Sequence, residues 1–147
     1  MPFNLRVYGL VLNASGEILL SEERRGGFEF CKFPGGGVQA GEGILDALHR
    51  EFREELDAEI VDAQFFYFND FYQPSAFNPR QQVVCFYYLV TLKHPEQLSI
   101  NSRNLPMDGV PGDYERFFWI AKETVKQEML TFPIDQKVLH KINLTLK

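Results

Sequence analysis

Short runs of alternating or continuous apolar residues dominate the chain, and most have the length of a single β-strand. They predict strands at residues 4–13, 18–21, 28–33, 59–69, 82–92 and 115–120. A turn at 14–17, with glycine at a late position, predicts that the first two strands form a hairpin covering 4–21. The charged stretch 22–27 that follows is expected to be a loop.

One segment carries the period of a helix instead. Between residues 42 and 56, large apolar side chains recur at spacings of three and four, as in a helix packed on a sheet. These side chains are Leu45, Leu48, Phe52 and Leu56. A second helix is expected at 133–142, where a proline stands near the first turn, and a short helix at 121–128.

The order of these elements is strands, helix, strands, helix, with a polar excursion at 95–114. Two helices that flank a mixed sheet would bury the apolar faces of both, so the pattern predicts an α/β fold. The 147 residues suit one domain of ordinary size, and no break in composition suggests a second one. We therefore expect a single domain over residues 1–147.

The composition supports a folded domain and narrows the choice of partners. Hydrophobic residues make up 45% and aromatic residues 14% of the chain, which argues against disorder. The formal net charge is −5, whereas proteins that bind nucleic acids or membrane surfaces carry basic patches, so neither partner is expected. An acidic site can still bind a polyphosphate when metal ions lie between the two.

Cysteine usage and the lack of targeting patterns favour the cytoplasm. Cys31 and Cys85 stand in strand-like contexts without a CxxC or Cys/His spacing, so both are expected to be reduced and partly buried thiols. No apolar run reaches the roughly 18 residues of a membrane-spanning helix. The N-terminal residues also lack the pattern of a signal peptide.

Candidate chemistry is concentrated on the first predicted helix, where residues 50–56 read REFREEL. Residues three and four apart are neighbours on a helix, so Glu51, Glu54 and Glu55 share one face. One interpretation is a solvated face of mixed charge, with Arg50 in reach of Glu54. The acids lie toward the helix C-terminus, where the macrodipole disfavours them, and this favours a second interpretation as oxygen ligands for Mg²⁺ or Mn²⁺.

A glycine-rich stretch stands directly before this helix. Gly35, Gly36 and Gly37 permit sharp backbone bends and close approach to a ligand, and a carbonyl oxygen from such a loop can complete the shell of a metal ion. Glu42 stands near the positive end of the helix dipole. Taken alone, the glycines fit a structural turn as well as a ligand-binding loop.

Together these residues match a known signature. Gly36, Glu42 and the run 50–55 resemble the motif of the Nudix hydrolases, G-x5-E-x7-R-E-U-x-E-E-x-G-U, in which U is a bulky apolar residue. Every charged position agrees, but Asp57 and Ala58 replace the glycine and the last apolar residue of the motif. Because Asp tolerates the left-handed conformation that such a helix end requires, we expect the turn to be kept with slight strain.

The resemblance implies an α/β/α sandwich and metal-dependent cleavage of a nucleoside diphosphate linked to another group. Arg50 would orient a glutamate, and Glu42 would support the junction between loop and helix. Bound Mg²⁺ or Mn²⁺ would neutralise the phosphates and lower the pKa of a bound water. By position in the motif, the metal ligands would be Glu51, Glu54, Glu55 and the carbonyl group of Gly35.

The sequence leaves several candidates for the general base that takes a proton from that water. The candidates are Glu51 or Glu54 within the motif, and then Glu115 or Asp113 at the last predicted strand. For Glu115 the alternative is a solvated acid at the edge of a strand.

The segment 69–82, after the motif, lies where the family often selects its substrate. Phe71 or Tyr72 could stack on a base. A phosphate could be met by Arg80, Arg24 or Arg25. For each of these side chains, packing in the core or on the surface is the alternative. The expected substrate is a small nucleotide: a nucleoside triphosphate, ADP-ribose or a nucleotide sugar.

Two further expectations come from the same reasoning. A non-catalytic domain that senses a nucleotide ligand on the same scaffold is the alternative function, although such domains usually lose carboxylates of the motif and this chain keeps all of them. The aromatic-rich strands are also compatible with a homodimer.

Overall fold

The computed structural model describes residues 2–98, 100 and 112–146. Three short 3₁₀ helices lie at Pro95–Gln97, Lys122–Thr124 and Gln127–Met129. The strands and α-helices of the described residues are β1 (Phe3–Val11), β2 (Glu17–Arg25), β3 (Phe28–Lys32), β4 (Gly35–Gly37), α1 (Ile44–Leu56), β5 (Ile60–Phe68), β6 (Gln82–Leu92), β7 (Tyr114–Ala121) and α2 (Pro133–Thr145). They fall into two compact units, one made of β1 and the segment Gly35–Leu98, the other containing β2, β3, β7 and α2.

The first unit is built on a mixed sheet of four strands in the order β4-β1-β6-β5. Its centre is the parallel pair of β1 and β6, which runs in register from Phe3 opposite Gln82 to Val11 opposite Val90. β4 and β5 add to the two sides in antiparallel orientation. The buried residues Val7, Leu10 and Val11 explain why the apolar N-terminal pattern forms a central strand.

Helix α1 packs on β1 through a close approach at Gly9. A Cβ atom at this position would lie 2.5 Å from Cζ of Phe52 and 3.1 Å from Cγ2 of Val90, so the ring of Phe52 occupies the space that a side chain would fill. Ala47, Leu48 and Leu56 are buried on the same helix. This packing fixes the opposite face of α1, which carries the acids, relative to the sheet.

The second unit is built on an antiparallel sheet of three strands in the order β3-β2-β7. Its apolar core includes Ile18, Leu20 and Phe118, and α2 buries Val138 and Ile142. Two hydrogen bonds join the segment before α2 to β3. The N–H of Thr131 donates to the carbonyl of Cys31 at 3.0 Å, and the N–H of Cys31 donates to the hydroxyl of Thr131 at 2.8 Å.

The predicted hairpin over 4–21 is wrong. The turn forms as expected, with the N–H of Gly16 donating to the carbonyl of Asn13 at 3.1 Å, but the pairing ends at one isolated bridge between Leu12 and Ile18. Beyond that bridge β1 pairs with β4 and β6, whereas β2 pairs with β3 and β7. Long-range strand partners therefore outcompete the local one.

Other boundaries also differ from the predictions. The stretch 22–27 was expected to be a loop, but β2 continues through it as far as Arg25. The glycines Gly35–Gly37 form the short strand β4. Leu45 is 42% exposed and lies outside the buried stripe of α1. The expected helix at 121–128 consists of two 3₁₀ turns. Of the excursion predicted at 95–114, residues 99 and 101–111 lie outside the described residues.

Helix α1 ends as expected at a left-handed residue. Asp57 has φ 50° and ψ 40°, and its N–H donates to the carbonyl of Arg53 at 3.1 Å. It is the only non-glycine residue with positive φ among those the structure describes. A left-handed L-residue costs roughly 1–2 kcal/mol, which a glycine would avoid.

Replacing Asp57 by Gly should therefore stabilise the fold. The gain is reduced by the larger entropy of glycine in the unfolded chain, which leaves about 0.5–1 kcal/mol. Thermal unfolding should shift upward by about 1–4 °C. Asp57→Ala keeps the Cβ atom and serves as the control, since it should not give this gain. An unchanged or lower midpoint for the glycine variant would contradict the strain at this position.

Candidate active site

Arg50 is the centre of the charged groups on the first unit. Its guanidinium binds Glu42 through two hydrogen bonds, Nε to Oε2 at 2.9 Å and a terminal nitrogen to Oε1 at 2.7 Å. The same group reaches Oε1 of Glu51 at 3.1 Å, Oε2 of Glu54 at 3.2 Å and the carbonyl of Gly37 at 2.9 Å. One arginine thus links the helix, the segment before it and the glycine strand.

Glu42 is held as an anion by this geometry. Besides Arg50, it accepts a hydrogen bond from the N–H of Gln39 at 2.8 Å. The hydrogen bonds from Arg50 and then from Gln39 lower the pKa of Glu42 to about 2. The bond to Glu42 in turn raises the pKa of Arg50. This geometry is consistent with the supporting role expected for Glu42 at the start of the helix.

The glycine strand shapes the position of Glu51. A Cβ atom at Gly36 would lie 2.6 Å from Oε1 and 2.9 Å from Oε2 of Glu51, so the carboxylate occupies the space that a side chain at this position would take. The Glu51 side chain is only 13% exposed. Gly35, with φ 144°, lies so close to β1 that a Cβ atom would overlap the carbonyl oxygen of Val7. A side chain at Gly35 would therefore collide with the backbone of β1, and one at Gly36 would displace the carboxylate of Glu51.

The three glutamates at the end of the motif, Glu51, Glu54 and Glu55, differ in environment. Glu51 is nearly buried between Arg50 and Gly36, whereas the Glu54 side chain is 59% exposed and accepts a hydrogen bond from Arg50 at one oxygen. Glu55 is partly exposed. In the part of the chain that the structure describes, no three His, Cys, Asp or Glu side chains converge into a metal-binding group by themselves.

The donor set nevertheless fits a hard divalent cation. Carboxylate oxygens of Glu51 and Glu54 converge on the same terminal nitrogen of Arg50, and the carbonyl of Gly37 in the glycine strand adds a neutral oxygen nearby. Mg²⁺ characteristically takes one or two carboxylates and completes its shell with water and substrate phosphates. The space left free by the missing Cβ of Gly36 permits the close approach of Glu51 to the strand.

Glu115 and Asp113 belong to the second unit, where each has a local role. Glu115 lies opposite Glu23 across β2 and β7 and forms a hydrogen bond with it. Burial raises the pKa of Glu23, but the bond with Glu115 and the charges of Lys32 and Arg25 outweigh it and lower the value to about 2. Asp113 accepts a hydrogen bond from the N–H of Gly26 at 2.9 Å.

The buried ion pair in this unit was missed at the level of sequence. Glu23 and Lys32 are 3% and 4% exposed, with 3.3 Å between Oε1 and Nζ. The hydroxyl of Ser21 lies 3.5 Å from the same carboxylate. The signal was present in the alternation of residues 18–25, where Ser21 and Glu23 fall on one face of a strand.

The residues predicted to bind substrate are separated by the structure. Arg24 is engaged locally, with its guanidinium 4.5 Å above the Tyr114 ring and a hydrogen bond to the carbonyl of Gly112 at 2.9 Å. Arg25 is 61% exposed and pairs with Glu23 at 2.8 Å. Both belong to the second unit. Their predicted contact with phosphate remains a prediction.

Phe71, Tyr72 and Arg80 lie on the loop between β5 and β6, within the first unit. Tyr72 is 61% exposed, and Arg80 is exposed as well. Asn69 anchors this loop: its buried amide donates to the carbonyls of Phe71 at 3.0 Å and Val83 at 3.1 Å, and accepts from the N–H of Cys85 at 2.8 Å. The loop that carries the candidate stacking residues is therefore fixed at its start.

One arginine joins the acidic helix α1 to the glycine strand β4. A family model for the NUDIX domain matches residues 2–141, and the chain belongs to this family.

Solved structures show the same fold. A MutT Nudix hydrolase from Burkholderia pseudomallei is 21% identical, with a TM-score of 0.68 over 97% of this chain and 99% of that one. A MutT protein from Methanosarcina mazei Go1 is 19% identical, with a TM-score of 0.67 over 99% and 96%. The predicted α/β Nudix fold is thereby confirmed.

A curated relative matches over a shorter stretch. The RNA pyrophosphohydrolase of Halorhodospira halophila is 47% identical over 53 residues, which are 36% of this chain and 28% of that protein. Cys31 and Cys85 are both buried and are not joined in a disulfide. Among the described residues, no helix combines the length and the apolar character that crossing a membrane requires.

Proposed function

We propose that this chain hydrolyses the pyrophosphate bond of a nucleoside diphosphate linked to another group, with Mg²⁺ or Mn²⁺ held by the motif. The observation that carries the proposal is the arrangement of Arg50, Glu51 and Gly36. The arginine fixes one oxygen of the carboxylate at 3.1 Å, and the missing Cβ of the glycine leaves room for it against the strand. Such a carboxylate is pre-positioned to bind a metal without a further change of rotamer.

The ligands in this proposal are those of the motif. Glu51 is the most constrained of them, because its side chain is 13% exposed and has contacts on two sides. Glu54, Glu55 and the carbonyl group of Gly35 would complete the set. The metal would neutralise the substrate phosphates and lower the pKa of a water that it binds. Arg50 is a positioning residue that orients the carboxylates of Glu51 and Glu54 through one terminal nitrogen.

Among the candidates for the general base, the structure supports Glu54 best. Its side chain is 59% exposed, so a water can reach it, and it pairs with Arg50 at 3.2 Å. The carboxylate would take a proton from the attacking water as the water oxygen bonds to phosphorus, and the bridging P–O bond breaks toward the leaving phosphate. Glu115 is a weaker candidate, since it is engaged with the carboxylate of Glu23.

We propose a small nucleotide as substrate, from the set of nucleoside triphosphates, ADP-ribose and nucleotide sugars. The exposed ring of Tyr72 on an anchored loop, beside Phe71, is available to stack on a base. Arg80 on the same loop is exposed and could meet a phosphate. The cytoplasmic setting stays part of the proposal and is supported by two buried cysteines that are not joined in a disulfide.

A panel of nucleotides with Mg²⁺ and with Mn²⁺ tests the proposal. The panel contains the four nucleoside triphosphates and their oxidised forms, ADP-ribose, nucleotide sugars and an RNA with a 5′-triphosphate. The last substrate is included because of the match to a curated RNA pyrophosphohydrolase. Pyrophosphate and a monophosphate identify cleavage of a triphosphate, whereas AMP and ribose phosphate identify cleavage of ADP-ribose.

The same panel separates an enzyme from a ligand-sensing domain. Metal-dependent product formation with at least one substrate supports the proposed activity. The sensing domain would instead be favoured if calorimetry showed tight binding of a nucleotide and no product formed with either Mg²⁺ or Mn²⁺. The chain keeps every carboxylate of the motif, which argues for the enzyme.

The ion pair of Glu42 with Arg50 should make the stability of the fold depend on pH in the acid range. Its pKa of about 2 in the folded state lies below the ordinary 4.5, so the stability it contributes is present above about pH 4.5 and is lost as the pH falls through about 2. Glu42→Gln should therefore lower the unfolding temperature at neutral pH, and the gap to the wild-type protein should close in that acid window. A gap that is independent of pH would contradict the ionised pair with Arg50. Glu59→Gln, at an exposed acid, is the control.

A further inference from the structure

Arg6 carries a charge that neither the packing of the first unit nor the motif accounts for. It lies on β1 and is the only charged residue of the three neighbouring strands β4, β1 and β6. Arginine is rarely buried in a protein unless a carboxylate pairs with it. Arg6 is partly buried, yet among the described residues no carboxylate lies within ion-pair distance of its guanidinium.

A single neighbour fixes the direction of this side chain. Nε of Arg6 donates a hydrogen bond to the hydroxyl oxygen of Tyr8 at 2.5 Å, and the two residues share one face of β1. The ring of Tyr8 in turn packs 5.4 Å from the ring of Tyr87. The terminal nitrogens of Arg6 donate no hydrogen bond to any residue that the structure describes. The guanidinium is therefore anchored at Nε, and its terminal donors remain available to an acceptor.

The glycine strand brings this guanidinium close to the motif. Arg6 lies opposite Gly37 in the register of β1 and β4, and a Cβ atom at Gly37 would lie 3.6 Å from Nη1 of Arg6. A Cβ atom at the preceding residue, Gly36, would point to the carboxylate of Glu51 on the other face of the strand. The two charges thus flank the backbone of β4, which is an edge strand of its sheet.

The charge on Arg6 is permanent and calls for an anion. Burial lowers the pKa of Arg6, but the effects of Tyr8, Cys85 and Glu51 outweigh burial and raise it. A positive charge that has lost part of its solvation without gaining a partner is stabilised by a bound anion. The paired donors of a guanidinium match two oxygens of one phosphate group.

We propose that Arg6 binds a phosphate group of the substrate at the edge of β4, on the face opposite Glu51. This inference rests on the proposed function, in which the metal ligands of the motif hold the same phosphate chain from the other face. Arg6 is then a substrate-binding residue that selects for the phosphate chain and takes no part in proton transfer. Because it binds the phosphate equally in the substrate and in the transition state, it acts on KM and not on kcat.

A nucleobase is the competing ligand for the same donors. Arginine can donate to the paired acceptors O6 and N7 of guanine, and aromatic rings often stack on a base beside it. The rings next to Arg6 are closed to stacking, since Tyr8 is 5% and Tyr87 1% exposed. A neutral base would also leave the charge of Arg6 uncompensated. These observations favour the phosphate.

Calorimetry with inorganic triphosphate and Mg²⁺ tests the proposal, since this probe has phosphates and no base. Arg6→Met keeps an unbranched apolar stem and removes the charge, and the dissociation constant should rise about 10- to 100-fold. Arg6→Lys keeps the charge without the fork of donors and should recover part of the loss. Lys93→Ala removes a cation of the same unit that is 53% exposed and pairs with Glu59, and this control should bind as the wild-type protein does.

Thermal unfolding separates a loss of binding from a loss of folding. Because the charge of Arg6 has no carboxylate partner, Arg6→Met should keep the unfolding temperature of the wild-type protein or raise it. The proposal is overturned if the wild-type chain does not bind inorganic triphosphate, or if Arg6→Met binds it equally well. A variant that loses affinity for a nucleotide but not for inorganic triphosphate would assign Arg6 to the base. A joint loss of binding and unfolding temperature in both Arg6 variants would make Arg6 a structural residue.

Hydrolysis distinguishes a failure of this inference from a failure of the proposed function. On the best substrate of the panel, Arg6→Met should raise KM about 10- to 100-fold and change kcat by less than about threefold. If the wild-type chain hydrolyses that substrate and Arg6→Met has the same KM, the inference fails and the proposed function stands. If the wild-type chain hydrolyses no substrate but its binding of inorganic triphosphate depends on Arg6, the proposed function fails and the phosphate site stands.

Discussion

Replacing Glu54 by Gln should reduce metal-dependent hydrolysis by about a thousandfold or more while the fold stays intact. The substitution removes a charge that would hold the metal and, in our proposal, the group that accepts the proton of the attacking water. A metal ion contributes several kcal/mol of charge stabilisation in such a reaction, and 1.36 kcal/mol corresponds to a factor of ten in rate. Because the Glu54 side chain is 59% exposed, the amide is accommodated without a cost in packing.

The measurement is kcat on the best substrate of the panel, with thermal unfolding as the check on the fold. Glu59→Gln makes the same chemical change at a residue just after the helix, where the side chain is 68% exposed and pairs with Lys93 at 3.4 Å. This control should keep full activity. If Glu54→Gln hydrolysed every substrate at the wild-type rate, the assignment of the site to this face of α1 would be wrong.

The local part of the site could be predicted from sequence because it depends on short spacings. The contact between Arg50 and Glu54 is an i,i+4 pair, and it forms at 3.2 Å as the helix period requires. The left-handed end of α1 at Asp57 likewise follows from the position of a single residue after the last turn. Patterns of this kind are decided within one element.

The pairing of strands could not be predicted in the same way. The turn after β1 carries the same residues whether or not its flanking strands pair beyond it. What decides the outcome is the parallel partner β6, about eighty residues away, which provides a register of nine residue pairs along the whole of β1. A prediction from local patterns therefore identifies the turn but not the strands with which β1 pairs.

The buried charges of the second unit show a different limit. The run from Glu22 to Arg25 reads as a polar loop because charge usually marks solvent, yet β2 continues through it. Glu23 is buried because Lys32 on the neighbouring strand neutralises it at 3.3 Å. Such a pair becomes visible only when the strand register is known, since the two residues are nine positions apart in the chain.

Gly35 and Gly36 of β4 should respond differently to replacement by alanine, and this contrast is the sharpest test of the site. At Gly36, a new Cβ atom would lie 2.6 Å from Oε1 and 2.7 Å from Cδ of Glu51, which is the flexible end of a side chain. The carboxylate can move away at a cost of about 1 kcal/mol in rotamer energy. A displacement of about 1 Å from its working position should lower kcat about 100-fold.

At Gly35, the new Cβ atom would instead overlap the backbone carbonyl of Val7, and φ is 144°. Neither the strand nor the dihedral can adapt cheaply, so Gly35→Ala should lower the free energy of unfolding by about 3 kcal/mol or more. Urea unfolding and kcat, measured on both variants, separate the two effects. Should Gly36→Ala lose stability as Gly35→Ala does and keep its kcat, the glycine strand would serve the fold alone, and Glu51 would not depend on it for its position.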